Sequence, residues 1–149
     1  MRMKTLSVFN LIKSLFLAQA EFSRLEKIIF DSVREKLHDD EIELWDRQLA
    51  AVNRIHRSPD GLEINLYSMR NGKSDFPKDI CFANKKEFKI AVVDIKDNDN
   101  KATLRGRIWC VNGHVFSIEY KTSFKEFEKI ARQKVEELVD EVKSETTHL

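Results

Sequence analysis

His38, Asp39, Asp40, Glu41 and Glu43 crowd one short stretch, and these are the side chains that hold a metal ion or work as an acid and base pair. Their spacing favours a plainer role. Consecutive helical residues do not face one another, and acids at a helix N-terminus complement the positive end of its dipole. A metal would need ligands converging from a second segment, and the sequence offers none. Asp97-Asn98-Asp99-Asn100 opens like a calcium loop, yet Lys101 stands at the third ligand position, Ala102 where glycine is required and Ile108 where the bidentate glutamate belongs. A solvated turn accounts for it. His38, His56, His114 and His148 lack the spacing of a zinc pair. No metal or other cofactor is expected.

A nucleophile relay needs a thiol or hydroxyl beside a histidine. Cys110 and His114 flank the Asn112-Gly113 turn, and pairing 111 with 114, 110 with 115 and 109 with 116 sets them on opposite faces, which makes Cys110 structural. The same register gathers Arg105, Arg107, Trp109 and Tyr120 on one face with Phe116, Ile118, Phe88, Ile90 and Val92. The other face takes Leu104, Ile108, Cys110, Val115, Ala91 and Val93, diluted by Ser117, Glu119 and Lys121. An arginine on a packed face must be paired or open to solvent, since an unpaired buried charge is strongly destabilising. Arg105 and Arg107 therefore either pair with Asp94 or a helix carboxylate, or hold an anion or a partner in an aromatic-lined groove with Trp109 and Tyr120. Catalytic residues are not apparent.

The elements that must position these groups follow from periodicity. Every Gly and Pro lies between residues 59 and 113, so both flanks lack the strongest helix breakers. In the first flank Leu6, Phe9, Ile12, Phe16, Phe22, Leu25, Ile29, Val33 and Leu37 recur at helical spacing, widened by Leu11, Leu15 and Leu17. Burial on two sides by a second copy would suit so wide a stripe. A second helix opens at an Asp40-Glu43 capping box, carries Ile42, Trp45, Leu49, Val52 and Ile55, and ends near Arg57, completing a helical hairpin over residues 1–57. Residues 61–121 read as an antiparallel meander of about five strands: Leu62-Ile64-Leu66 alternation, a return strand straddling Pro77, a strand from Phe88 to Ile95 covered on both faces, and two strands joined at Asn112-Gly113. Asn71-Gly72 is a further turn. Ser123 and Glu126 cap a C-terminal helix over residues 123–143. The expectation is one α+β domain spanning residues 1–149.

The stretches 45–57, 62–67 and, above all, Trp109-Cys110-Val111-Asn112-Gly113-His114-Val115-Phe116-Ser117-Ile118-Glu119-Tyr120 resemble a pattern of small bacterial α+β proteins of uncharacterised function. The resemblance implies a bacterial origin and no particular activity.

Charge narrows the partners. Lys and Arg number 26 against 25 Asp and Glu, a net of +1, so no excess recruits nucleic acid or an anionic membrane. The basic residues Lys85, Lys86, Lys89, Lys101, Arg105, Arg107, Lys121, Lys125, Lys129 and Arg132 are interleaved with acids and make a solvated surface rather than a phosphate-binding stripe. The N-terminus resembles a secretory leader ending at Ala18-Gln19-Ala20, but Asn10, Lys13 and Ser14 interrupt its apolar core, and the two cysteines suit a reducing compartment. A cytoplasmic location follows. The expected function is a non-catalytic protein-binding domain of adaptor or immunity type, with a homodimer through the N-terminal helix. The alternative is a binder or enzyme for a small anionic ligand on the Arg105, Arg107 and Tyr120 face.

Overall fold

A computed structural model of the chain describes residues 21–96, 103–131 and 142–146. Their fold is α+β, with helices laid on one side of an antiparallel sheet. The first helix, α1 (Arg24–Arg34), starts at a reciprocal capping box: Ser23 Oγ accepts from the Glu26 N–H at 3.1 Å, and Glu26 Oε1 accepts from the Ser23 N–H at 2.8 Å. The apolar stripe therefore does not run unbroken through Phe22, because the cap holds Ser23 in extended backbone. Residues 1–20, with the expected dimer contact, lie outside the described residues, as does the Asp97–Asn100 turn.

Helix α2 (Asp39–Ala51) begins just before the expected box, with the His38 N–H donating to Glu41 Oε1 at 2.8 Å and Asp39, Asp40 and Glu41 in its first turn. The acidic cluster is a helix N-terminus. Arg34 reaches across to Asp46 with two hydrogen bonds of 2.8 and 2.9 Å, joining the two helices as the expected hairpin. Its extension to Arg57 is corrected: α2 ends at Ala51, and Arg54–Arg57 is a strand, β1. Asn53 makes the break, since its N–H donates to Tyr67 O and its side-chain amide trades two bonds with the Met69 backbone, at 2.9 and 2.7 Å. Ile55 satisfied helical spacing and strand alternation equally, and tertiary pairing decided between them.

Strands β2 (Glu63–Tyr67), β3 (Met69–Arg70), β4 (Lys73–Ser74), β5 (Phe88–Lys96), β6 (Thr103–Val111) and β7 (His114–Tyr120) follow, then α3 (Phe124–Ala131) and β8 (Val142–Thr146). The main sheet runs β1-β2-β7-β6-β5-β8, antiparallel throughout. Two differences from the expected meander concern breakers and ends. Pro77 lies in no strand and caps a short 3₁₀ turn (Lys78–Ile80), while the Asn71-Gly72 turn closes only the two-residue strands β3 and β4. Val142, expected on the last helix, begins edge strand β8, paired with β5 from Ile95 to Ala91. Asn71, Gly72, Asn112 and Gly113 all adopt positive φ, as tight hairpins require.

Two β-bulges decide which side chains face the helices. One sits between Lys89 and Ala91, the other at Trp109 and Cys110, where Trp109 pairs with Ser117 and not with Phe116. The first inserts buried Ile90, which explains why β5 is apolar at both parities although only one of its faces is packed by helices. The second reverses the parity of β7. Leu104, Gly106, Ile108, Cys110, Val115, Ile118 and Tyr120 consequently share the helix side with Ile64, Leu66, Val93 and Ile95, and meet Ile29, Phe30, Val33, Trp45 and Phe127 in one core. Burying a side chain of the Leu or Phe class contributes about 1.5 to 3 kcal/mol, so this layer dominates stability.

Candidate functional site

The opposite face of the sheet carries Tyr67 and Asn65 on β2, Ser117 and Glu119 on β7, Arg105, Arg107 and Trp109 on β6, and Val92 and Asp94 on β5. Among the described residues no helix covers it. Trp109 is half-buried and donates its indole N–H to Glu119 Oε1 at 2.6 Å, and the Tyr67 and Phe116 rings meet edge to face with centroids 5.5 Å apart. Arg105 makes a bidentate pair with its cross-strand neighbour Asp94, at 2.8 and 2.9 Å, and that guanidinium holds the Asp94 carboxyl below the usual range. Pairing with Asp94 is thus the state of Arg105, with both partners partly open to water.

Tyr120 does not share this face, although it borders one cavity together with Arg107. The bulge turns it to the helix side, where its ring lies against Gly106, and a Cβ at Gly106 would stand 3.6 Å from Tyr120 Cε1. Burial, with the nearby Glu26 charge, pushes its hydroxyl pKa up. Glu26 in turn binds Arg57 through two bonds of 2.9 and 2.7 Å, tying α1 to β1. The arginine and aromatic constellation expected from sequence is thereby corrected: Arg105, Arg107 and Trp109 share a face, whereas Tyr120, Ile118 and the residues Phe88 and Ile90 do not stand with them on the open side.

At one end of the open face a cavity of about 670 Å³ is bordered by His56, Glu63, Asn65, Arg107, Glu119 and Lys121. Glu63 stands directly across from Glu119, and like charges so placed repel. The Asn65 Oδ1 is buried with no hydrogen-bond partner. Asn65 stands two residues along from Glu63, opposite Ser117, and the facing carboxylates of Glu63 and Glu119 suit a cationic donor. Sequence alternation put Asn65 and Glu63 on one strand but could not bring Glu119 beside them without the bulge.

At the other end, a cavity of about 510 Å³ lies beside the β6–β7 turn, lined by Phe76, Lys78, Cys81, Lys85, His114 and Phe116 among others. Phe76 stacks on the His114 ring at 4.6 Å, and His114 Nε2 lies 2.9 Å from Pro77 O. A carbonyl only accepts, so Nε2 carries the proton and Nδ1 the lone pair. Cys81 Sγ is 3.4 Å from Nε2 and 3.8 Å from Nδ1. Gln48, fully buried on α2, fixes this corner by donating to Ile80 O and Gly113 O at 2.7 and 2.9 Å and accepting from the Val115 N–H at 2.8 Å. The Phe82 N–H also donates to Gly113 O at 2.8 Å. Cys81 and His114 are 33 residues apart, and only the docking of the 77–85 segment on the hairpin brings them together. Cys110, on the helix side, is as inert as expected: burial pushes its thiol pKa up to about 12.

Both cysteines are free thiols, and no three His, Cys, Asp or Glu side chains form a metal-ligand group among the described residues. No described helix is long and apolar enough to cross a membrane. No family model, curated protein or solved structure matches the chain. Function must come from the site.

Proposed function

We propose that the chain is a non-catalytic protein-binding domain, of adaptor or immunity type in a bacterial cytoplasm, whose contact surface is the sheet face opposite the helices. The observation that carries this reading is the make-up of that face: half-buried Trp109, Phe116 and Tyr67 beside a cavity in which Glu63 faces Glu119. Aromatic anchors ringed by polar groups are how protein interfaces concentrate their energy. The partner supplies a lysine or arginine to the facing Glu63 and Glu119 carboxylates. A small anion is the weaker reading, because Arg105 is already bonded to Asp94 and Arg107 shares its cavity with Asp60, Glu63 and Glu119.

The test uses the partner isolated by affinity capture from the cells that make the protein. Glu63→Lys and Trp109→Ala should each weaken its binding by at least about tenfold, whereas Lys27→Glu, on the exposed side of α1, should leave it unchanged. Full affinity in both sheet-face variants would overturn the proposal.

A further inference from the structure

Asn-Gly occurs twice in the chain, at Asn71-Gly72 and Asn112-Gly113, and each pair forms a two-residue hairpin turn with positive φ at both positions, 54° and 77° in the first and 52° and 82° in the second. The same chemistry is open to both. A glycine carries no side chain to shield its nitrogen, which can therefore reach the side-chain carbonyl carbon of the asparagine before it. Closing that ring needs the side chain and the glycine nitrogen on the same side of the asparagine Cα–C bond, which a turn of this class does not provide, so the turn must open first.

Opening is where the two turns differ. The first closes only the two-residue strands β3 and β4; Asn71, Gly72, Lys73 and Ser74 are exposed, and among the described residues a Cβ at Gly72 would meet nothing within 4 Å. The second joins the long strands β6 and β7, and its Gly113 is buried. Gly113 O accepts from Gln48 Nε2 at 2.9 Å and from the Phe82 N–H at 2.8 Å, and Phe82 O stands 2.7 Å from the point where a Gly113 Cβ would lie. A segment with few buried contacts opens at little cost, whereas one tied to the core opens only with its neighbours.

We propose that Asn71 is a modification site at which the folded chain deamidates spontaneously, while the contacts of Gly113 protect Asn112. Gly72 N bonds to Asn71 Cγ and the Cγ–N bond of the side-chain amide breaks; solvent carries the Gly72 proton to the departing nitrogen, which leaves as ammonia. Water then opens the cyclic imide at either carbonyl, giving aspartate or isoaspartate. Either product adds a carboxylate between Arg70 and Lys73. The Asp75 N–H bond to Ser68 O, at 2.7 Å, closes the hairpin below the turn, so the change stops short of the Phe76 and His114 stack. This site is separate from the protein contact proposed above.

The experiment ages the full chain in mildly alkaline buffer, folded and in parallel unfolded in guanidinium chloride, and follows aspartate and isoaspartate at each position by peptide mapping. In the folded protein Asn71 should convert at least about tenfold faster than Asn112. Unfolding should remove most of that ratio, because glycine follows both residues. Asn71→Gln, whose longer side chain would have to close a six-membered ring, should leave the folded chain unconverted over the same period. Equal rates at the two positions in the folded protein, a ratio undiminished by unfolding, or undiminished conversion of the folded Asn71→Gln chain would overturn the proposal.

Discussion

At the scale of single residues, the open face is held by pairs that cost little to make and are lost in acid. Arg105 binds Asp94 through two hydrogen bonds, and that pairing lowers the carboxyl pKa below its ordinary value of 3.8. A lowered folded-state pKa stabilises the fold above the ordinary value, and the contribution disappears as pH falls through the depressed one. Asp94→Asn should therefore destabilise the protein at neutral pH by up to about 1 kcal/mol, since the pair is partly solvated. Urea titrations of both proteins should converge below pH 3.8. A difference that persisted unchanged in acid would mean that the carboxylate charge is not what Arg105 recognises. The pairing itself was open to sequence reasoning, because Asp94 and the arginines stood on neighbouring strands. Tyr120 was misplaced for a reason no residue type announces: one extra residue in a strand turns every later side chain to the other face.

At the scale of elements, the parts legible in the sequence were those decided locally. Both Asn-Gly turns form because these residues tolerate positive φ, and α2 opens on acids because its dipole favours them. Ser23 and Glu26 also formed a readable capping box, hidden under an apolar spacing that continued on both sides of it. The elements settled by distant partners were not legible. β1 exists because Asn53 pairs with the β2–β3 backbone, and β8 because β5 has a free edge. Gln48 belongs to the same class: it occupies the buried side of α2 beside Trp45 and satisfies three backbone groups of two other segments. Gln48→Leu keeps the helix but strands the Val115 N–H and Ile80 O, while Gly113 O keeps its bond from Phe82, for a loss of about 3 kcal/mol in chemical denaturation. A loss within the error of the method would show that water replaces the amide, and the hairpin would then not depend on α2.

At the scale of the whole molecule, the helices spend their apolar faces on one side of the sheet and leave aromatic and acidic groups on the other. A net charge of +1 gives little long-range steering, so recognition must rest on the local pattern of that face and not on bulk attraction. Its aromatic strip runs between the two cavities, the Glu63 notch at one end and the Cys81 pocket at the other. Contact with a partner along the strip would bury Trp109 and Val92 together. The most direct measurement places a photo-crosslinking residue at position 92 on the open face and, separately, at position 27 on the helix side, in the cells that make the protein, and maps the adducts by mass spectrometry. The account predicts a discrete adduct with another protein from position 92 and none from position 27. Adducts from position 92 only to residues 1–20 of the same chain, or an intermolecular adduct from position 27 alone, would contradict it.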